Sequence, residues 1–260
     1  MSLVHQDGPV GGLIGPSDNP LDIEGAPTLY GGPPPEEFYV TPVTTFQQQS
    51  DKNACVAHGA SAPLESECRG RAIIAQVCRA DIYSGALYLD NHAGRDVGVT
   101  IASMGRWITQ KGCLSEFERP YGSDDVTIKT PSAFDEFRAK GVKAVGVPLV
   151  LPEIQIALMG SGGVFYGHEV RSNYTPDGGG VLPPPAGTMR GYHCTCWEGW
   201  RPGAFLMRQS WLNWGIDHPL ASVDSRFKHL LGKRGYCWTP FEWLATVFEP
   251  TYFQGGLDVS

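Results

Sequence analysis

The sequence predicts an α+β protein of two lobes, and three observations carry that expectation. Helix signals fall before residue 160, whereas from Val164 onward apolar residues alternate as they do in strands. With 260 residues, 42% of them hydrophobic, the chain can bury a sizeable core in one large domain or two closely joined ones. A Gly- and Pro-rich acidic segment, residues 1–40, precedes a mainly helical lobe at 41–128 and a strand-rich lobe at 129–260.

Residues 1–40 hold seven Gly and seven Pro, and six Asp or Glu with no Lys or Arg, so six of the seven net negative charges sit there. Such a segment cannot form a packed core alone and reads as an extended arm. Its own domain or a separate partner must hold it, and docking on a larger protein assembly is one expectation. Its few apolar groups imply that the body folds without residues 1–38. The net charge of −7 argues against a phosphate-binding surface, so no nucleic-acid partner is expected. No apolar run approaches the roughly 18–20 residues that span a bilayer, so no membrane partner is expected either. The first residues have neither a basic nor an apolar stretch, and no secretory signal is expected.

Along the chain, Asn53 can cap a helix starting at Ala54-Cys55, with Pro63 expected to kink or interrupt it. Residues 71–89 are mixed, with a helix expected at Ala72–Cys78. Thr100–Lys111 places Ile101, Met104, Trp107 and Ile108 on one face, and Gly112 ends it. Thr130-Pro131 opens a short helix toward Gly141, and Pro152 opens another over Glu153–Met159. Val164–Val170 and Ala204–Arg208 read as strands, with Gly178-Gly179-Gly180 and Pro183-Pro184-Pro185 marking a long loop between them.

Seven cysteines form an odd set, and reduced thiols are the better expectation, consistent with synthesis in the cytoplasm. Cys194-Thr195-Cys196 is one residue short of a zinc knuckle and has no second knuckle, so no metal or other cofactor is expected. Alternation on a strand explains Cys194 and Cys196, and Cys68, Cys78 and Cys113 suit small buried positions.

Three places can carry chemistry. Gln49 stands six residues before Cys55, which lies in the first turn of a predicted helix. A helix N-terminus stabilises a thiolate, and an amide on the preceding loop can donate to an oxyanion forming beside the sulfur. Tyr192-His193-Cys194 follows the Gly- and Pro-rich loop, and Gln209-Ser210-Trp211 follows a predicted strand 16 residues after His193. His58, one turn after Cys55, is a rival base on spacing alone; its side chain should point into the lobe, a structural position.

Together these residues resemble the papain-like cysteine peptidases. Asp96-Val97-Gly98 before a helix, Lys111-Gly112 at its end, Pro120-Tyr121, and Gly235-Tyr236-Cys237-Trp238 are further points of similarity. The resemblance covers about residues 41–250. It implies a papain-like two-lobe fold, with a helical first lobe, a β-barrel-like second lobe and the active-site cleft between them. It also implies Cys55 as nucleophile and His193 as its partner in a thiolate–imidazolium pair, with Gln209 orienting the imidazole by accepting from Nδ1–H so that Nε2 faces Cys55. Gln49 and the Cys55 N–H would form the oxyanion hole, Gly98 and Cys194 would contact substrate, and Trp211 would shield the hydrogen bond to His193. The substrate would be a peptide or protein.

This sequence departs from the family at four points. Gln209 replaces Asn, Lys52 stands where a disulfide cysteine is usual, no long helical propeptide precedes residue 40, and an insertion spans about Ile216 to Lys233. An endopeptidase is therefore the leading expectation. A papain-like structural subunit of a larger particle is the rival, and hydrolysis of bacterial cell-wall peptides is a third reading.

Overall fold

A computed structural model describes residues 12–22, 33–41, 44, 48–69, 76–119, 121, 138–211 and 214–255. The chain has an α+β fold, with three helices among the described residues of its first half and an antiparallel sheet in its second. Helix α1 (Cys55–Arg69) continues through Pro63 without interruption. Proline removes one helical hydrogen bond, but the helix is held by its packing against the sheet. That packing is close. A Cβ on Gly59 would lie 2.8 Å from the Cys194 sulfur, so glycine is required where α1 crosses strand β4 (Met189–Arg201).

Helix α2 (Arg79–Leu89) was not foreseen. Arg79 through Leu87 are all buried, so α2 carries no polar stripe and shows no amphipathic period in the sequence. The helix expected at Ala72–Cys78 lies largely outside the described residues, and Cys78 is the N-cap of α2, its sulfur accepting from Asp81 N–H at 3.2 Å. Helix α3 (Ile101–Lys111) begins and ends where its signals fall. Thr100 Oγ1 accepts from Ser103 N–H at 3.1 Å, and Gly112 takes φ +75°. Most of the segment Thr130–Gly141 is also outside the described residues. Its last part is not helical, since Ala139 bridges Cys113 in antiparallel fashion.

The remaining elements are β1 (Phe38–Tyr39), β2 (Lys143–Gly146), α4 (Leu151–Gly160), β3 (Val164–Arg171), β5 (Ala204–Arg208), β6 (Tyr236–Pro240) and β7 (Val247–Gln254). The sheet runs β2-β7-β3-β4-β5-β6, with β1 added to β4. One core lies between the helices and the inner face of β4, around Val56, Ala60, Ile82, Met104, Phe165 and Cys194. A second, mainly aromatic core on the other face gathers Tyr166, Trp197, Trp200, Phe205 and Trp243. The insertion after residue 215 has its own small core, where Ala221, Phe227 and Leu230 pack on Leu206, Tyr236 and Trp238.

The N-terminal arm packs on its own body in two places. Residues 12–15 lie between the two lobes, with Leu13 bridging Val99 on one side and Tyr192 on the other. Further on, β1 pairs with β4 through Phe38↔Trp200 and Tyr39↔Gly199.

Candidate active site

Cys55 is the first residue of α1, so its sulfur lies at the positive end of the helix. Two side chains fix the approach to this turn. Asp96 Oδ1 accepts from Asn53 N–H at 3.0 Å and from the Tyr83 hydroxyl at 2.6 Å, and that hydroxyl accepts from Gly98 N–H at 3.1 Å. The Gly98 rim and the start of α1 are thus tied through one carboxylate. Gly98 takes φ +85°, a backbone state in which a side chain would be strained.

Gln49 is fully buried, and its amide is gripped at both ends. Nε2 donates to the Lys52 carbonyl at 2.9 Å, while Oε1 accepts from Ser210 Oγ at 2.5 Å. The Lys52 carbonyl, which only accepts, fixes Nε2 as the donor end, and the Ser210 hydroxyl then donates to Oε1. The second Nε2 hydrogen has no hydrogen-bond partner among the described residues. Sequence reasoning gave Ser210 no role, because its partner is 161 residues away.

His193 lies on β4 with its ring stacked on Trp211, centroids 4.5 Å apart. Its Nε2 lies 2.5 Å from Gln209 Oε1, which also accepts from Ser210 N–H at 2.8 Å. This corrects the expected geometry, in which Nδ1 was to bond Gln209. The ring rotamer presents Nε2 to Gln209, which leaves Nδ1 as the other edge of the ring. His193 Nδ1 is buried and makes no hydrogen bond to any described residue.

Cys194 departs from its expected role. Its side chain alternates to the face opposite His193, where it is buried against Gly59 of α1 rather than open to the cleft. His58 is likewise buried, its ring edge-on to Tyr121 at 5.0 Å.

Both candidate groups are covered. Cys55 and His193 have no exposed surface. Burial pushes the Cys55 thiol up to about 12, opposed only partly by the N–H groups of Cys194, Val56 and Cys55 itself. Burial pushes His193 down to about 4, opposed by its bond to Gln209. In this state the two are a neutral thiol and a neutral imidazole, not an ion pair.

At Cys55 the arm is part of that cover. A Cβ added to Gly12 would lie 2.7 Å from the Cys55 sulfur and 2.7 Å from the Asn53 carbonyl oxygen, so glycine alone lets the chain pass there. Gly12 C=O accepts from Val99 N–H and Ile14 N–H donates to Val99 C=O, each at 3.3 Å. The Leu13 side chain packs into the apolar cluster that holds Val99, Tyr192 and Phe248, and it touches the space above Gly167. Farther along, Ser17 N–H bonds Glu249, and Arg106 bonds the Asn19 carbonyl. The sequence did contain a signal for this contact. Leu13-Ile14 is an apolar pair between Gly12 and Gly15 within a polar, Pro-rich segment.

Solved structures of papain-like cysteine proteases match this chain almost end to end. Xylellain, a cysteine protease from Xylella fastidiosa, aligns over 98% of this chain and 99% of its own with a TM-score of 0.77 and 16% identity. Procathepsin B S9 from Trypanosoma congolense covers 96% of this chain and 86% of its own, at a TM-score of 0.67 and 15% identity. The ragweed cysteine protease Amb a 11, in its proform, covers 90% and 69%, at 0.63 and 16%. The fold is therefore the papain-like cysteine-protease fold. No family model matches the sequence, and no curated protein matches it at the sequence level.

Proposed function

We propose that this chain is a cysteine endopeptidase held shut by residues 12–15 of its own arm. The observation that carries the reading is the His193 ring. Trp211 stacks on it and Gln209 holds Nε2, while Nδ1 is unpaired and Cys55 heads α1 on the opposite wall. With the arm displaced, Nδ1 takes the thiol proton and the Cys55 sulfur attacks the peptide carbonyl. The Cys55 N–H and Gln49 Nε2 donate to the resulting oxyanion. The protonated imidazole then gives its proton to the departing amine, leaving a thioester on Cys55. A water molecule, deprotonated by the same nitrogen, hydrolyses the thioester and restores the thiol. The pocket that holds Leu13 supports a substrate with a branched aliphatic side chain beside the scissile bond.

Cys55→Ala should abolish turnover of such a peptide and leave the folded stability nearly unchanged; turnover that survives would remove Cys55 from the chemistry. The complete burial of Cys55 and His193 favours a second reading, a binding subunit without turnover. Mass spectrometry after brief iodoacetamide exposure at about pH 6 separates the two. A peptidase freed of its arm is alkylated at Cys55 before its other thiols, because only an activated thiolate reacts there.

A further inference from the structure

Behind Gln209, hydrogen bonds continue away from the cleft. Gln209 Nε2 lies 3.5 Å from the Tyr174 hydroxyl, which lies 3.3 Å from His168 Nε2, and His168 Nδ1 lies 3.0 Å from the Glu169 carbonyl oxygen. Gln209, Tyr174 and His168 are all buried. His168 is on β3 directly opposite His193 on β4, with ring centroids 5.8 Å apart. Tyr174 is fixed on three sides, stacked on His168 at 5.1 Å and Trp214 at 5.4 Å, and edge-on to Trp243 at 5.4 Å.

The chain permits one polarity. A carbonyl oxygen only accepts, so His168 carries its hydrogen on Nδ1, and its Nε2 is an acceptor. The Tyr174 hydroxyl has a single hydrogen and two acceptors in reach, His168 Nε2 and Met207 Sδ, each at 3.3 Å. An imidazole nitrogen is a far better acceptor than a thioether, so the hydrogen goes to His168. The oxygen of Tyr174 is then left only to accept, and Gln209 must turn its NH2 end toward it. The C=O end consequently faces His193, where Ser210 N–H also holds it. His193 must then carry its hydrogen on Nε2 and keep a lone pair on Nδ1.

We infer that Tyr174, locked by His168, is a positioning residue that acts with Ser210 N–H to set the orientation of the Gln209 amide and through it the tautomer of His193. This deepens the peptidase reading and rests on it for its catalytic meaning, since only an Nδ1 lone pair can take the Cys55 proton. It also gives the longer Gln209 a function that Asn could not serve, because the added methylene carries the amide to both partners.

The test is long-range 1H–15N spectra of the full chain labelled at histidine, recorded at neutral pH, where burial keeps both rings uncharged. His168 should be the Nδ1–H tautomer and His193 the Nε2–H tautomer. Tyr174→Phe should lose the single His193 pattern and show both tautomers. Met207→Leu, which removes only the sulfur acceptor, should leave His193 unchanged. If Tyr174→Phe leaves His193 as it was, or Met207→Leu mixes the tautomers equally, the inference falls. Should Tyr174→Phe fail to fold, the unmodified chain decides, because an Nδ1–H on His193 or an Nε2–H on His168 overturns the chain of bonds. The readout is a tautomer rather than turnover, so a chain without peptidase activity fails the earlier test and leaves this one standing.

Discussion

The two ends of the N-terminal arm hold to the body in different ways. Residues 33–41 are joined to the sheet through the strand Phe38–Tyr39. Phe38 stacks on Trp200 at 5.0 Å, Trp200 Nε1 donates to the Pro35 carbonyl at 3.1 Å, and Val40 N–H donates to Glu198 C=O at 2.8 Å. Residues 12–22 instead lie across the cleft. They have single-residue bridges at Leu13, 3.3 Å backbone bonds at Val99, and polar contacts to Glu249 and Arg106. Composition treats both as one Gly- and Pro-rich segment, yet residues 12–22 occupy the cleft whereas residues 33–41 are held to the sheet.

Separate deletions should expose that difference most strongly. Removing residues 1–22 should return Cys55 toward an ordinary thiol from about 12. That is a gain of roughly 10³ in thiolate at fixed pH, read as the rate of Cys55 alkylation. The fold should hold. Removing residues 1–41 should raise the same rate but also strip the partly buried Phe38 from Trp200, at about 1–2 kcal/mol, below the cost of a fully buried Phe. This revises the expectation that the body folds intact without residues 1–38, because Phe38 belongs to the second core. Equal melting temperatures for the two truncated proteins would erase the distinction.

Gly12→Val tests the occupant without cutting the chain. Its Cβ has backbone and sulfur at 2.7 Å, and neither the Asn53 carbonyl nor the start of α1 can give way, so the arm must lift. Overpacking of this kind costs about 1–3 kcal/mol, which shifts the docked arm toward release by roughly 10–100-fold. Alkylation of Cys55 should rise by a similar factor, with the sheet unaffected. A Gly12→Val protein as unreactive as the parent would mean that something other than the arm shields the sulfur.

Much of this site is readable in the sequence because its parts are local. Gln49 and Cys55 share one turn region, and the spacing from His193 to Gln209 crosses a single hairpin, β4 to β5. What could not be read depends on contacts between distant segments. Gly12 meets Cys55 only after the arm folds back over 40 residues, and Ser210 meets Gln49 across the cleft. Helix α2 was missed for a different reason. Amphipathic period arises where one face meets water along the helix, and α2 is buried all round from Arg79 to Leu87, with only its last turn at Tyr88 exposed. The nitrogen of His193 that faces Gln209 depends on a rotamer, which spacing does not encode.

Acid should separate the full chain from the protein lacking residues 1–22 by a smaller amount. Burial lowers His193 and His218 to about 4 and His168 to about 3. A histidine held neutral when folded and ordinary when unfolded contributes stability that is complete above about pH 6.5 and is lost as pH falls through 4. Glu65, Glu198 and Glu249, raised by burial, act in the opposite sense. Without the arm, His193 should regain solvent and its ordinary pKa, so its contribution disappears. The slope of unfolding free energy against pH between 6.5 and 4 should then be shallower by up to about one proton. Identical slopes in denaturant titrations would show that His193 stays buried without its cover.

The smallest effect, and the one that bears on the other wall of the cleft, belongs to Gln209. Asn is the family's residue here, and on sequence alone Gln209→Asn would be expected to hold or raise activity. The structure points the other way. Gln209 Oε1 accepts from both His193 Nε2 and Ser210 N–H, while its Nε2 end reaches Tyr174 at the limit of a hydrogen bond, 3.5 Å. A side chain one methylene shorter cannot span His193 and Tyr174 from the same backbone position, so it must give up one of them. The bond to His193 is the shorter and stronger, and it should be the one kept. Gln209→Asn in the protein without residues 1–22 should therefore lower kcat only a few-fold with KM unchanged, since the imidazole stays in plane but loses its fixed tautomer. Gln209→Ala, which leaves Nε2 unpaired in a buried site, should cost about tenfold or more. A Gln209→Asn protein more active than the parent would mean that the Tyr174 contact hinders the imidazole instead of holding it.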